Sequence, residues 1–126
     1  VEQRILIVDD EPNIAASLEF LLQRGGFDVK VAHNGEEALA LAESFAPQLV
    51  LLDVMMPKLN GYEVCQRLRQ GESGKGVKIV MLTARGREVD LEKGKALGAD
   101  LYVTKPFSTR ELVAQVRELL GAAPGP

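Results

Sequence analysis

With 126 residues the chain has the commonest size of a single domain, long enough to bury one full core. Its 46% hydrophobic and 26% charged content is ordinary for a globular protein, and a net charge of −3 without a basic stripe excludes nucleic-acid binding as an expectation for this segment. One cysteine cannot form an internal disulfide, no apolar run approaches the ~18 residues of a membrane span, and Val1-Glu2-Gln3-Arg4 leads into a strand pattern rather than a signal peptide, so the expected compartment is the cytoplasm.

Arg4-Ile5-Leu6-Ile7-Val8 opens the chain as a short β-rich run that stops at Asp9-Asp10. The spacing of Ile14, Leu18, Leu21 and Leu22 predicts a helix over about Pro12 to Arg24, stopped by Gly25-Gly26. Phe27 to Ala32 reads as a second strand, polar at Asp28 and Lys30 and so expected at a sheet edge. Asn34 followed three residues on by Glu37 is a capping box, opening a helix that turns Ala38, Leu41, Ala42 and Phe45 inward before Pro47. Gln48-Leu49-Val50-Leu51-Leu52 is a third strand and stops at Asp53. Asn60 with Glu63 repeats the capping signature for a third helix with Val64 and Leu68 facing the core, and Gly71 to Gly76 is a surface loop. Lys78-Ile79-Val80-Met81-Leu82 stops at Thr83. A helix with sparse apolar residues, interrupted by Gly94, is expected over about Gly86 to Leu97. Asp100-Leu101-Tyr102-Val103-Thr104 stops at Lys105-Pro106, and Ser108 with Glu111 caps a last helix carrying Leu112, Val113, Val116, Leu119 and Leu120. The domain is expected to occupy residues 1–120, with 121–126 as a linker or disordered tail.

Strands alternating with helices predict an α/β fold with a parallel sheet, and such sheets bind ligands beyond the carboxyl ends of their strands. The four run endings Asp9-Asp10, Asp53, Thr83 and Lys105 should therefore meet at one edge. Three carboxylates, a hydroxyl and an ammonium make a cation-and-phosphoryl site. Taken singly, Asp10 could be a helix cap, Asp53 a turn residue, Thr83 a cap and Lys105 a solvated lysine; their shared placement is what a purely architectural account lacks. Cys65 reads as a small buried hydrophobe and His33 as a surface turn residue.

The run Ile5-Leu6-Ile7-Val8-Asp9-Asp10-Glu11-Pro12 resembles the opening of the receiver domains of two-component response regulators. Leu51-Leu52-Asp53-Val54-Met55-Met56-Pro57, Asn60-Gly61, Leu82-Thr83-Ala84, Gly98-Ala99-Asp100 and Lys105-Pro106-Phe107 extend the resemblance over about residues 4–120. It implies a doubly wound five-stranded parallel sheet, a (βα)5 flavodoxin-like fold with strand order 2-1-3-4-5. It also implies that Asp53 is the phosphoacceptor, that Asp9, Asp10, Asp53 and the backbone carbonyl of Met55 hold Mg²⁺, and that Thr83, Ala84 and Lys105 bind the phosphoryl group. Thr83 and Tyr102 would then form the switch that remodels the face made by the helix expected near 86–97, the fifth strand and the last helix. The implied partners are a sensor histidine kinase or phosphotransfer protein and a downstream effector domain or protein, with no membrane contact. The domain itself would be no enzyme, but an acceptor that assists its own phosphorylation and dephosphorylation.

The branch of the family fused to winged-helix DNA-binding domains is similar around Thr83-Ala84-Arg85-Gly86 and Lys105-Pro106-Phe107-Ser108. Its members dimerise through charge pairs, yet here Leu91, Leu101 and Gln115 stand where a basic residue, an acidic residue and an arginine are usual, leaving Glu111 without its usual partner at Leu91. A monomer is expected before phosphorylation and at most a weak dimer after it. A flavin carrier of the same fold is disfavoured, because Asp9-Asp10-Glu11 would repel a phosphate in the first loop and the chain has no Trp for stacking. A phosphatase with an aspartyl-phosphate intermediate would place an Asp-x-Asp pair after the first strand, which Asp9-Asp10-Glu11 does not match.

Overall fold

The computed structural model describes residues 3–54, 56, 60–71, 76–84, 98–105 and 107–121, omitting the side chains of Ala84 and Lys105. Five strands, β1 (Arg4–Val8), β2 (Asp28–Ala32), β3 (Leu49–Asp53), β4 (Lys78–Ala84) and β5 (Leu101–Lys105), form one parallel sheet in the order β2-β1-β3-β4-β5. Four helices are described: α1 (Pro12–Arg24), α2 (Gly35–Phe45), α3 (Gly61–Gln70) and α4 (Thr109–Leu120). The helix expected over 86–97 and the tail 122–126 lie outside the described residues, as do 72–75 of the expected loop.

Strand pleating divides the core in two. Leu6, Val8, Val50, Leu52, Ile79 and Met81 pack with Ala38 and Ala42 of α2 and Val64, Cys65 and Leu68 of α3. Ile5, Ile7, Leu49, Leu51, Val80 and Leu82 project to the other side, against Ala15, Leu18 and Leu22 of α1 and Leu112 and Val116 of α4. Because the central strands are covered on both faces, every residue of β3 is buried, and the run shows no polar alternation. β2 is an edge strand, with Asp28 and Lys30 exposed as the sequence led one to expect.

The helices begin where the capping signatures place them. Asn34 Oδ1 accepts from Glu37 N at 2.8 Å, Asn60 Oδ1 from Glu63 N at 3.0 Å, and Ser108 Oγ from Glu111 N at 3.3 Å. Ala15, missing from the expected face of α1, is buried there, while Ile14 and Leu21 are half-buried. The strands are shifted by a residue or two: β2 begins at Asp28, β3 takes in Asp53, β4 continues through Thr83 to Ala84, and β5 takes in Lys105. A ladder needs backbone groups, not apolar side chains, so pairing continues past the point where the hydrophobic run stops.

At the amino-terminal rim of the sheet, α4 is tied down from both sides. Arg117 Nη2 donates to Gly25 O at 2.7 Å, and its guanidinium lies over the Phe27 ring, 5.0 Å from the centroid. Gln3 Nε2 donates to Leu120 O at 3.1 Å. No described helix is long and apolar enough to cross a membrane.

Candidate functional site: an acidic cluster at the carboxyl rim

Parallel register brings the strand endings together. Val8 pairs with Leu52, so Asp9 follows β1 at the level of Asp53, the last residue of β3; Asp53 in turn pairs with Leu82, one step before Thr83. The carboxylates of Asp9, Asp10 and Asp53 each offer an oxygen, and these atoms lie within 4.8 Å of one another. Asp9 is fully buried, Asp53 is 3% exposed and Asp10 is exposed.

Local backbone chemistry holds each of them. Asp9 N donates to Ala32 O at 3.1 Å, and its Oδ1 accepts from Glu11 N at 2.9 Å, closing an Asx-type turn. The cap of α1 is Glu11, followed by Pro12 in the first turn, and it makes no side-chain cap bond. Helix capping therefore does not account for Asp10. Behind Asp53, Val54 N donates to Leu82 O at 3.0 Å and Gly61 N to Val54 O at 3.1 Å, fastening the start of α3 to the end of β3. The approach is so close that a Cβ on Gly61 would fall 2.5 Å from Asp53 O and 2.8 Å from Val54 Cα. Only glycine fits there, a steric role that the Asn60-Gly61 pair did not announce by spacing alone.

Thr83 is 3% exposed, and its Oγ1 is buried without a hydrogen-bond partner among the described residues. A hydroxyl in that state loses roughly 1–3 kcal/mol of hydration without recompense. It is available to an incoming oxygen. Ala84 and Lys105 pair in the β4–β5 register, one step beyond Thr83 and Thr104, so the backbone puts Lys105 at the same rim. Tyr102 pairs with Met81, two residues before Thr83, and is half-buried against the α2/α3 side of the core. Met55 and Leu91 lie outside the described residues.

Residues 5–117 match the model of the response regulator receiver domain. The chain is a receiver domain. It is 50% identical over 120 residues to the alkaline phosphatase synthesis transcriptional regulatory protein PhoP of Bacillus subtilis, an alignment covering 95% of this chain and 49% of that one. To the DNA-binding response regulator MtrA of Mycolicibacterium smegmatis it is 48% identical over 120 residues, covering 95% and 51%. The receiver thus spans about half the length of the curated relatives it matches. Among solved structures, chemotaxis protein CheY4 of Vibrio cholerae superposes with a TM-score of 0.89 at 31% identity, covering 94% of this chain and 98% of that one.

The donor set of the receiver's acidic cluster suits a hard divalent cation: carboxylate oxygens only, two of the groups buried and one open to solvent. The other two residues singled out from sequence lie elsewhere. His33 is exposed with Nδ1 3.5 Å from Glu37 Oε1. Cys65 is fully buried on α3, where burial pushes its thiol up from the ordinary 9.0, Arg69 opposes that rise and Asp100 adds to it. Such a thiol is inert.

Proposed function

We propose that this receiver accepts a phosphoryl group on Asp53 from a sensor histidine kinase or phosphotransfer protein in the cytoplasm, with Mg²⁺ as cofactor. The observation that carries the reading is the gathering of Asp9, Asp10 and Asp53 within 4.8 Å at the sheet rim that also holds Thr83, whose hydroxyl is buried. An Asp53 oxygen would attack phosphorus while the bond from phosphorus to the donor nitrogen or oxygen breaks, its electron pair leaving with the donor. A carboxylate is a weak nucleophile toward an anionic target, so placement and charge compensation must supply the rate. Asp9, Asp10, Asp53 and the carbonyl of Met55 would hold Mg²⁺, which when bound offsets carboxylate repulsion and polarises the phosphoryl oxygens. Thr83 Oγ would donate to one of those oxygens, the Ala84 position would leave room for the donor, and Lys105 would bring a second positive charge.

Drawing Thr83 toward the phosphoryl group would vacate space on the sheet face it shares with Tyr102, coupling the site to that ring, and through β5, whose Leu101 and Val103 pack on the side where α4 lies, to α4. The domain would serve as an acceptor that assists its own phosphorylation and dephosphorylation, not as an enzyme for an outside substrate. The relatives, one named a transcriptional regulatory protein and the other a DNA-binding response regulator, support an effector as the recipient of the signal. Acetyl phosphate with Mg²⁺ should add one phosphoryl mass, and Asp53→Asn should abolish it. Equal labelling of the variant in intact-mass spectrometry would overturn the assignment.

A further inference from the structure

Among the described residues β5 is an edge strand of five residues that pairs only with β4. Its side chains do little to fix its register. Leu101, Tyr102 and Val103 are consecutive, apolar and all half-buried, so a one-residue slip exchanges one apolar residue for another. An in-and-out alternation such as the start of the other edge strand, β2, shows would penalise such a slip, and Leu101–Val103 has none.

A polar fixture stands where the β4–β5 ladder begins. Asp100 N donates to Ile79 O at 2.8 Å, and Asp100 Oδ2 accepts from Ile79 N at 2.7 Å, so that the carboxylate stands in for a strand carbonyl. The same Oδ2 accepts from Arg69 Nη2 at 2.9 Å. Arg69 reaches in from the last turn of α3 and also donates to Val77 O at 2.6 Å and to Gly98 O at 2.7 Å, binding the two segments that enter β4 and β5. Both side chains are mostly sheltered, at 22% and 28% exposure, which strengthens a charged pair relative to one in open water.

We propose that Asp100, held by Arg69, is a positioning residue that pins the register of β5 and thereby sets where Lys105 stands beside Ala84 at the opposite rim. The proposal rests on the phosphoacceptor reading given above. A slip of one residue would move Lys105 by about 3.3 Å along β4 and turn it to the other face of the sheet. The proposed metal ligands sit at the carboxyl ends of β1 and β3, whose mutual register does not involve β5. Loss of the pin should therefore separate two properties that general unfolding would abolish together.

The test compares the wild-type chain with Asp100→Ala, Asp100→Asn and Arg69→Met. Readouts are Mg²⁺ affinity by calorimetry, the acetyl phosphate labelling rate, and nuclear Overhauser contacts between Ala84 and Lys105. Asp100→Ala should slow labelling on the order of tenfold or more, since a misplacement of about 1 Å can lose two orders of magnitude. Its Mg²⁺ affinity should stay within about twofold of wild type, because no ligand has moved. Asp100→Asn keeps an acceptor for Ile79 N and should retain most of the rate. Arg69→Met keeps the aliphatic stem and should fall between; it carries the test if Asp100→Ala does not fold. Unchanged labelling with the Ala84–Lys105 contacts intact would overturn the proposal, as would a parallel fall in labelling and Mg²⁺ affinity. If the wild-type chain takes no phosphoryl group the phosphoacceptor reading fails, and the cross-strand contacts alone then decide whether Asp100 pins the strand.

Discussion

Neutralising Asp53 should stabilise the metal-free protein, although it removes the central residue of the site. Carboxylate oxygens of Asp9 and Asp53, both buried, lie within 4.8 Å of one another, and two charges at that limit repel by about 3 kcal/mol at an effective dielectric of ~20. Asp10 is exposed, so its repulsion with Asp53 is nearer the aqueous value of about 1 kcal/mol. Against this stands the loss of whatever favourable contacts the Asp53 carboxylate makes, since the residue is not without partners. The net expectation for Asp53→Asn in chelator is a gain of about 1–3 kcal/mol. For a domain of this size that corresponds to roughly 4 °C in Tm per kcal/mol. Urea melts in chelator would show a raised midpoint with an unchanged slope. Millimolar Mg²⁺ should then stabilise the wild-type chain strongly and the variant much less, because binding to the folded state adds RT ln(1 + [Mg²⁺]/Kd). A destabilised variant in chelator, or equal Mg²⁺ stabilisation of both proteins, would refute the picture of a crowded anionic site relieved by a cation.

Thr83→Val keeps the shape and removes the buried hydroxyl, so the unphosphorylated protein should gain up to ~1 kcal/mol in denaturant melts. Asp53 should remain modifiable in that variant, while amide exchange at Tyr102 and the start of α4 no longer responds to phosphorylation. Gly61→Ala should destabilise by about 1–3 kcal/mol, because its Cβ has no room beside Asp53 O; a neutral result in the same melts would contradict the contact. The raised Cys65 thiol favours the protonated state in the folded protein. Its contribution is therefore complete below the unfolded thiol's pKa and is lost as pH climbs from there through the folded value. Cys65→Ala should flatten the decline in stability above about pH 9 relative to wild type, and parallel pH profiles would count against the burial argument.

Much of this molecule was legible in its residues. Strand runs, the capping pairs at Asn34, Asn60 and Ser108, and the meeting of Asp9, Asp10 and Asp53 all follow from local rules plus the geometry of parallel sheets. Strand ends were less so, since Asp53, Thr83 and Lys105 break the apolar pattern yet stay in the ladder. The two fixtures at the other rim were not visible at all. Arg69 with Asp100 and Arg117 with Gly25 join residues 31 and 92 positions apart. Periodicity reports which face a residue takes, but it says nothing about which distant carbonyl a guanidinium will find. Gly61 is intermediate: the pair Asn60-Gly61 marks a helix start, but the demand for a missing side chain comes from the strand it presses on.

The hydrogen bond from Gln3 to Leu120, with the Arg117 clasp beside it, brings the two ends of the folded unit to one pole, and the acidic cluster occupies the other. Whatever chain continues past Leu120 hangs from the pole remote from Asp53. On the phosphoacceptor reading, a neighbour tethered there would not sense Asp53 through its own attachment point. It would have to lean back along the flank of the domain to register a change there, so the attachment would act as a leash that sets local concentration while the flank would carry the message.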